Sequence, residues 1–221
     1  MSHLRMVGAQ QEAWVNARKF AGTYAGMESR WRDSLAAVGP VCGRVAKKTV
    51  RLPSSNLDCT ALEQWCDWFR SHRAALQKDG EPLALDVVDF SCNRIGDHGL
   101  AALADILLEQ PPRVLRLFNN LISDASPIEQ LLVKGGLREA HLSNNKLQID
   151  AAVRLVLAAV LATDEHGQCL FPTRGAQPLW LRVENSKDIV AMRQLCFSTA
   201  PEAVRARASS GCSLGRWQHW L

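Results

Sequence analysis

Six histidines, seven cysteines and 22 acidic residues are the side chains from which this chain could build chemistry. Their spacing does not build it. His3, His72, His98, His141, His166 and His219 fall in no metal-ligand pattern, and no C-x-x-C pair occurs. Asp86 and Asp89 stand three apart on one expected strand, which sends them to opposite faces rather than into a carboxylate pair. The chain has no Gly-rich phosphate loop, no G-x-S-x-G elbow and no H-E-x-x-H pair. No catalytic residue, metal or cofactor is therefore expected. What remains is the chemistry of recognition and of backbone hydrogen bonding, and Asn93, Asn120 and Asn145 are its most regular carriers.

Each of these asparagines closes the same short pattern. Leu85-x-x-Val88-x-Phe90-x-x-Asn93-x-Ile95 is followed by Leu115-x-Leu117-x-x-Asn120-x-Ile122 and by Leu137-x-x-Ala140-x-Leu142-x-x-Asn145-x-Leu147. The asparagines lie 27 and 25 residues apart, a period that marks a repeat architecture. Before each Asn, apolar residues alternate with period two, as in a short strand with one face inward. After it the period changes: Ile95, Gly99, Leu103 and Leu107 form the stripe of a helix. Each unit is strand, tight loop, helix. Alone it leaves an apolar face bare, and stacked on a neighbour it does not. The Asn amide at the corner is expected to bond loop backbone groups that would otherwise lack partners.

Two irregular copies flank the three. Val50-x-Leu52 with Asn56-Leu57 precedes a helical stretch, Thr60 to Gln77, and Leu179-x-Leu181-x-Val183 with Asn185 and Ile189 forms a last strand and turn. In both, the Asn is displaced by one residue, as end copies that also cap a core are free to be. Thr163–Gln177, containing Gly and Pro, reads as an inserted loop. In the second regular copy Ser126-Pro127 stands at the helix start, where a first-turn proline loses no needed N–H.

Asn93-Arg94-Ile95-Gly96-Asp97-His98-Gly99, followed by Leu100, Leu103 and Leu107, resembles a leucine-rich repeat of the ribonuclease-inhibitor type. The resemblance covers about 50–189 and is densest over 85–157. It implies an α/β solenoid with parallel strands on the concave side and helices on the convex side. Helical N- and C-terminal extensions would flank it. Residues 1–48 are then an N-terminal helical cap, 49–190 a domain of about five repeats with its insertion near 163–177, and 191–221 a basic, Trp-containing extension. The family it resembles consists of recognition scaffolds with diverse partners.

The 221 residues suffice for one domain with extensions, and 47% hydrophobic content is ordinary for a globular chain. The longest nearly apolar stretch, Ala151–Ala162, is too short to cross a bilayer and is interrupted by Arg154. The first 30 residues lack the apolar segment of a secretory signal. Seven scattered cysteines point to reduced thiols, hence an intracellular and cytoplasmic setting. A mitochondrial one is the alternative, because Arg5, Arg18 and Lys19 outnumber the acids near the start. Most of the cysteines, including Cys59 and Cys66 on one expected helix, read as small buried residues. Charge is segregated: residues 1–52 carry a net +6, 53–165 a net −6 and 166–221 a net +4.

Residues 9–38 carry a helical stripe through Trp14, Ala17, Ala21, Tyr24, Trp31, Leu35 and Val38, ended by Gly39-Pro40. Packing across the first unit as a cap is expected, with docking on another protein as the alternative. At the other end, helices over Ile189–Phe197 and Pro201–Ala208 lead through a Ser/Gly linker to Trp217 and Trp220. That pair is either an anchor folding back or one inserting into a partner.

The middle residue of each Leu-x-Leu strand points away from the core. That column reads Arg51, Asp89, Arg116, His141 and Arg182, and the next reads Pro53, Ser91, Phe118, Ser143 and Glu184. A mixed-charge strip with one aromatic suits a protein epitope, because Arg and aromatic residues anchor such interfaces. The sequence thus favours a non-catalytic scaffold or adaptor, a subunit of a larger assembly, binding protein through this strip and its aromatic ends. The alternative is a structural subunit of a large ribonucleoprotein, such as an organellar ribosome, with the basic termini contacting RNA.

Overall fold

A computed structural model describes residues 27–38, 47–76, 84–168, 170–171 and 179–183. A six-stranded sheet runs through them in strict chain order: β1 Leu35–Val38, β2 Lys47–Arg51, β3 Leu85–Asp89, β4 Val114–Arg116, β5 Glu139–His141 and β6 Trp180–Arg182. β1 pairs antiparallel with β2, and the remaining pairings are all parallel. A helix ending at residue 33 (α1, described over 27–33) precedes the sheet. Helices α2 Cys59–Leu76, α3 Asp97–Glu109, α4 Ser126–Lys134 and α5 Ile149–Leu161 alternate with the parallel strands and pack on one another in sequence. The chain is thus an α/β protein with five parallel strands in one open sheet. No described helix is long and apolar enough to cross a membrane.

The core lies between one face of the sheet and the helices. Val50, Val88, Leu115 and Ala140 are laterally paired, point inward and are fully buried. Facing them, Ile95 just before α3 and Gly99, Leu103 and Leu107 along it form one buried stripe. Gly99 is required by proximity: a Cβ there would sit 3.1 Å from Cys59 Cα, so α3 can press against the start of α2 only without one. Pro127 occupies the first turn of α4, as the sequence predicts. Beyond α5 the inserted loop turns back: Leu170 N–H donates to Ala162 O, Phe171 is buried, and the Arg138 guanidinium lies 5.8 Å from its ring centroid.

The first unit is closed by aromatic packing. Trp31 of α1 meets Trp68 with ring centroids 5.7 Å apart, while Trp65 stacks on Phe69 and meets Phe90 edge-on. Glu28 accepts hydrogen bonds from Trp68 Nε1 and Arg32, which hold its carboxyl below the usual range. The described part of the N-terminal helix thus lays Trp31 and Glu28 against α2.

The expectation of one helix over 9–38 is corrected at its end. Ser34 stops the helix, its N–H donating to Arg30 O and its hydroxyl to Trp31 O. Leu35–Val38 then pairs along β2. The apolar spacing fits a helix, but the edge of β2 offers backbone partners that a solvent-facing helix end lacks. The sheet therefore reaches N-terminal of residue 49. The stripe from Trp14 to Tyr24, Asn185 with Glu184, the C-terminal helices and Trp217 and Trp220 lie outside the described residues.

Candidate functional site

The three asparagines form a ladder joining each strand-to-loop corner to the one before it. Asn120 Oδ1 accepts Ile95 N–H at 3.0 Å, while its Nδ2 donates to Phe90 O at 3.0 Å and Leu117 O at 3.1 Å. Asn145 repeats this one unit later, accepting Ile122 N–H and donating to Leu117 O and Leu142 O. Asn93 repeats it one unit earlier, accepting the N–H groups of Leu57 and Ser55 and donating to Leu52 O and Phe90 O. In all three the side-chain amide is spent on loop backbone groups. In the first unit the corresponding corner residue is Ser55, three after Leu52, so Asn56 is not a shifted member of the ladder. Asn56 instead adopts a left-handed conformation, with φ 55°.

A second link was not visible in the sequence. Four residues after the first two corners, Ser55 and Asn93, Cys59 Sγ accepts Gly96 N–H, and Asp97 accepts the N–H groups of Ser123 and Asp124 and the Ser123 hydroxyl. Burial pushes the Asp97 pKa up, but these hydrogen bonds outweigh it and hold the carboxyl below its ordinary range. Thiol and carboxylate share a position and a task but no sequence letter. The residue before each corner, Ser54, Cys92, Asn119 or Asn144, is left-handed with φ between 50° and 56°. Asparagine suits that region, which explains the Asn-Asn pairs at 119–120 and 144–145. Cys66 is a buried small residue, as expected, and its thiol is pushed up to about 12 by burial.

On the other face of the sheet, Arg51, Asp89, Arg116, His141 and Arg182 are lateral neighbours, each in register with the next. The column read from sequence is therefore one row across five strands. Its members are not equally available. Arg51 is exposed, whereas Asp89 is only 8% exposed and accepts both the N–H and the hydroxyl of Ser91. Arg116 lies between two carboxylates, 3.4 Å from Glu139 and 4.0 Å from Asp89. His141 Nε2 is 3.0 Å from the same Glu139 oxygen, so Glu139 bridges the Arg116 and His141 side chains.

Three expectations for this face are corrected. Ser91 and Ser143 are buried, and Phe118 is half-buried, so the second column is not an open strip. The exposed aromatic is Trp180, 44% exposed, whose ring meets His141 edge-on at 5.8 Å. It sits in register with Glu139, two residues before Arg182, at the first variable position of Leu179-x-Leu181-x-Val183. The row offers cations, a bridging carboxylate and an aromatic edge, the elements of polar recognition rather than of proton transfer. Among the described residues no group of His, Cys, Asp and Glu could hold a metal ion. Compared with known proteins, the chain matches no family model, no curated protein and no solved structure.

Proposed function

We propose that the chain is a leucine-rich-repeat solenoid of the ribonuclease-inhibitor type, its strands on the concave side, and that it serves as a non-catalytic scaffold or adaptor. Strands in unbroken chain order and corner-to-corner asparagine bonding support the architectural part. The observation that carries the functional part is the row Arg51, Asp89, Arg116, His141 and Arg182. These equivalent positions hold arginine three times, broken by Asp89 and His141, while the laterally paired residues Val50, Val88, Leu115 and Ala140 on the opposite face stay apolar. A partner protein would find Arg116 and Trp180 on either side of Glu139 and His141, and Arg and Trp are residue types that dominate binding energy at interfaces. The double substitution Arg116→Glu with Phe118→Ala is the test. Loss of co-purifying partners with an unchanged circular dichroism spectrum is expected. Retention of every partner would show that the row is not the interface.

Charge segregation favours a second reading. The basic net charge of 1–52 and 166–221 suits a ribonucleoprotein subunit whose ends contact phosphates. Salt-sensitive RNA affinity that weakens on removing 1–26 and 200–221, and weakens further when Arg30, Arg32, Arg44, Lys47 and Lys48 are also neutralised, would select it over the scaffold reading.

A further inference from the structure

The helix side carries a groove of about 970 Å³ that the strand face does not share. Its apolar surface comes from Leu108 at the end of α3, Val133 of α4, Ala158 of α5 and Leu170 of the returning loop. Val133 is 54% exposed, the most exposed of the large apolar side chains among the described residues. A β-branched aliphatic residue in that position loses nothing by being covered, and covering it releases water.

The electrostatics of the groove select what covers it. Glu129, Asp164 and Glu165 line it, against Lys134 and His166. Glu129 is paired with Arg154, and Asp164 accepts the N–H groups of His166 and Gln168. Glu165 is 87% exposed, with the His166 ring 3.6 Å away. The last turns of α3 and α5 hold no basic residue, so the negative ends of two helix dipoles meet at the groove with only Lys134 of α4 opposing them. The wider surface has the same sign, because α2 to α5 together carry seven Asp or Glu against four Lys or Arg. Nucleic acid is the wrong partner for such a field. An apolar stripe flanked by positive charge is the right one.

We infer that this groove docks a basic amphipathic helix of a partner protein. Its aliphatic side chains would rest on Val133 and Leu170, and its Lys or Arg side chains would reach Glu165 and the carbonyl ends of α3 and α5. The site is separate from the strand-face row, so the protein would join two partners, or two parts of one, on opposite sides of its sheet.

The test uses the full chain and a labelled synthetic helix with Leu on one face and Lys on the other, read by fluorescence anisotropy. Two control peptides accompany it: one of the same composition with the Leu stripe scrambled, and one with Glu replacing Lys. The chain should bind the first peptide and neither control. Val133→Asn and Glu165→Lys, both at exposed positions, should each weaken binding roughly tenfold. The strand-face variant Arg116→Glu with Phe118→Ala should bind it undiminished, which separates this proposal from the fate of the strand-face one. Absence of binding, equal binding of the scrambled peptide, or undiminished binding by both groove variants would each overturn the assignment.

Discussion

One side-chain amide, that of Asn120, serves the corners of two adjacent units at once. It is buried, and three main-chain carbonyls and one N–H bond to it. Replacing it with Ala would leave the Ile95 N–H without its acceptor and take one donor from each carbonyl, which Asn93, Asn145 and the Cys92 N–H still serve, at a cost of about 2 kcal/mol. Asp is nearly isosteric, yet its ionised carboxylate would face the carbonyls of Phe90, Leu117 and Phe118, all acceptors. Asn120→Asp should therefore be at least as damaging as Asn120→Ala at neutral pH, measured by urea denaturation. An Asp variant within about 0.5 kcal/mol of the parent would remove the amide from its assigned role. This part of the site was legible in the sequence because the task demands a donor and an acceptor on one short side chain. Cys92 was less legible. It is left-handed like Asn119 and Asn144, but nothing about a thiol announces that conformation.

Between elements, the loop after β3 is tied to the loop after β4 through Asp97. Its carboxyl is held below the ordinary 3.8 by hydrogen bonds that prevail over burial. A group with a lowered folded-state pKa contributes stability above its unfolded value, and that contribution disappears as pH falls through the folded one. The parent and an Asp97→Asn variant should therefore differ most near neutrality, by about 1 kcal/mol, and converge as the pH falls below about 4. Urea midpoints at several pH values would show this. A gap that stays constant into acid would mean that the ionised form has no special part. The same level shows why β1 escaped a reading by periodicity. Leu35 and Val38 continue a helical stripe, and only the edge of β2, fixed by residues further along the chain, decides that they pair as a strand. The parallel strands and helices α2, α3 and α5 were legible because their apolar spacing and their tertiary surroundings agree.

At the scale of the molecule, one apolar cluster runs without interruption from Trp31 at the capped end to Leu179 beside β6. The row on the strand face could be read in advance, since lateral register follows from the offset of each strand to its Asn. The helix-side groove could not, because it exists only where the inserted segment folds back and Leu170 settles beside Gly135. The continuous core has a consequence for unfolding. Units that contact only their neighbours can melt separately from an end, whereas a short array with one shared core should melt as a whole. Leu142, buried in the third regular unit, lies far along the chain from Trp31, Trp65 and Trp68. Leu142→Ala removes its side chain from the core at a cost of about 3 kcal/mol. If the core is shared, amide protection in α2, which holds Trp65 and Trp68, should fall at the same urea concentration as protection in β5 and α5. Protection of α2 left in place while β5 and α5 lose theirs would instead mean that the capped end folds independently of the third regular unit.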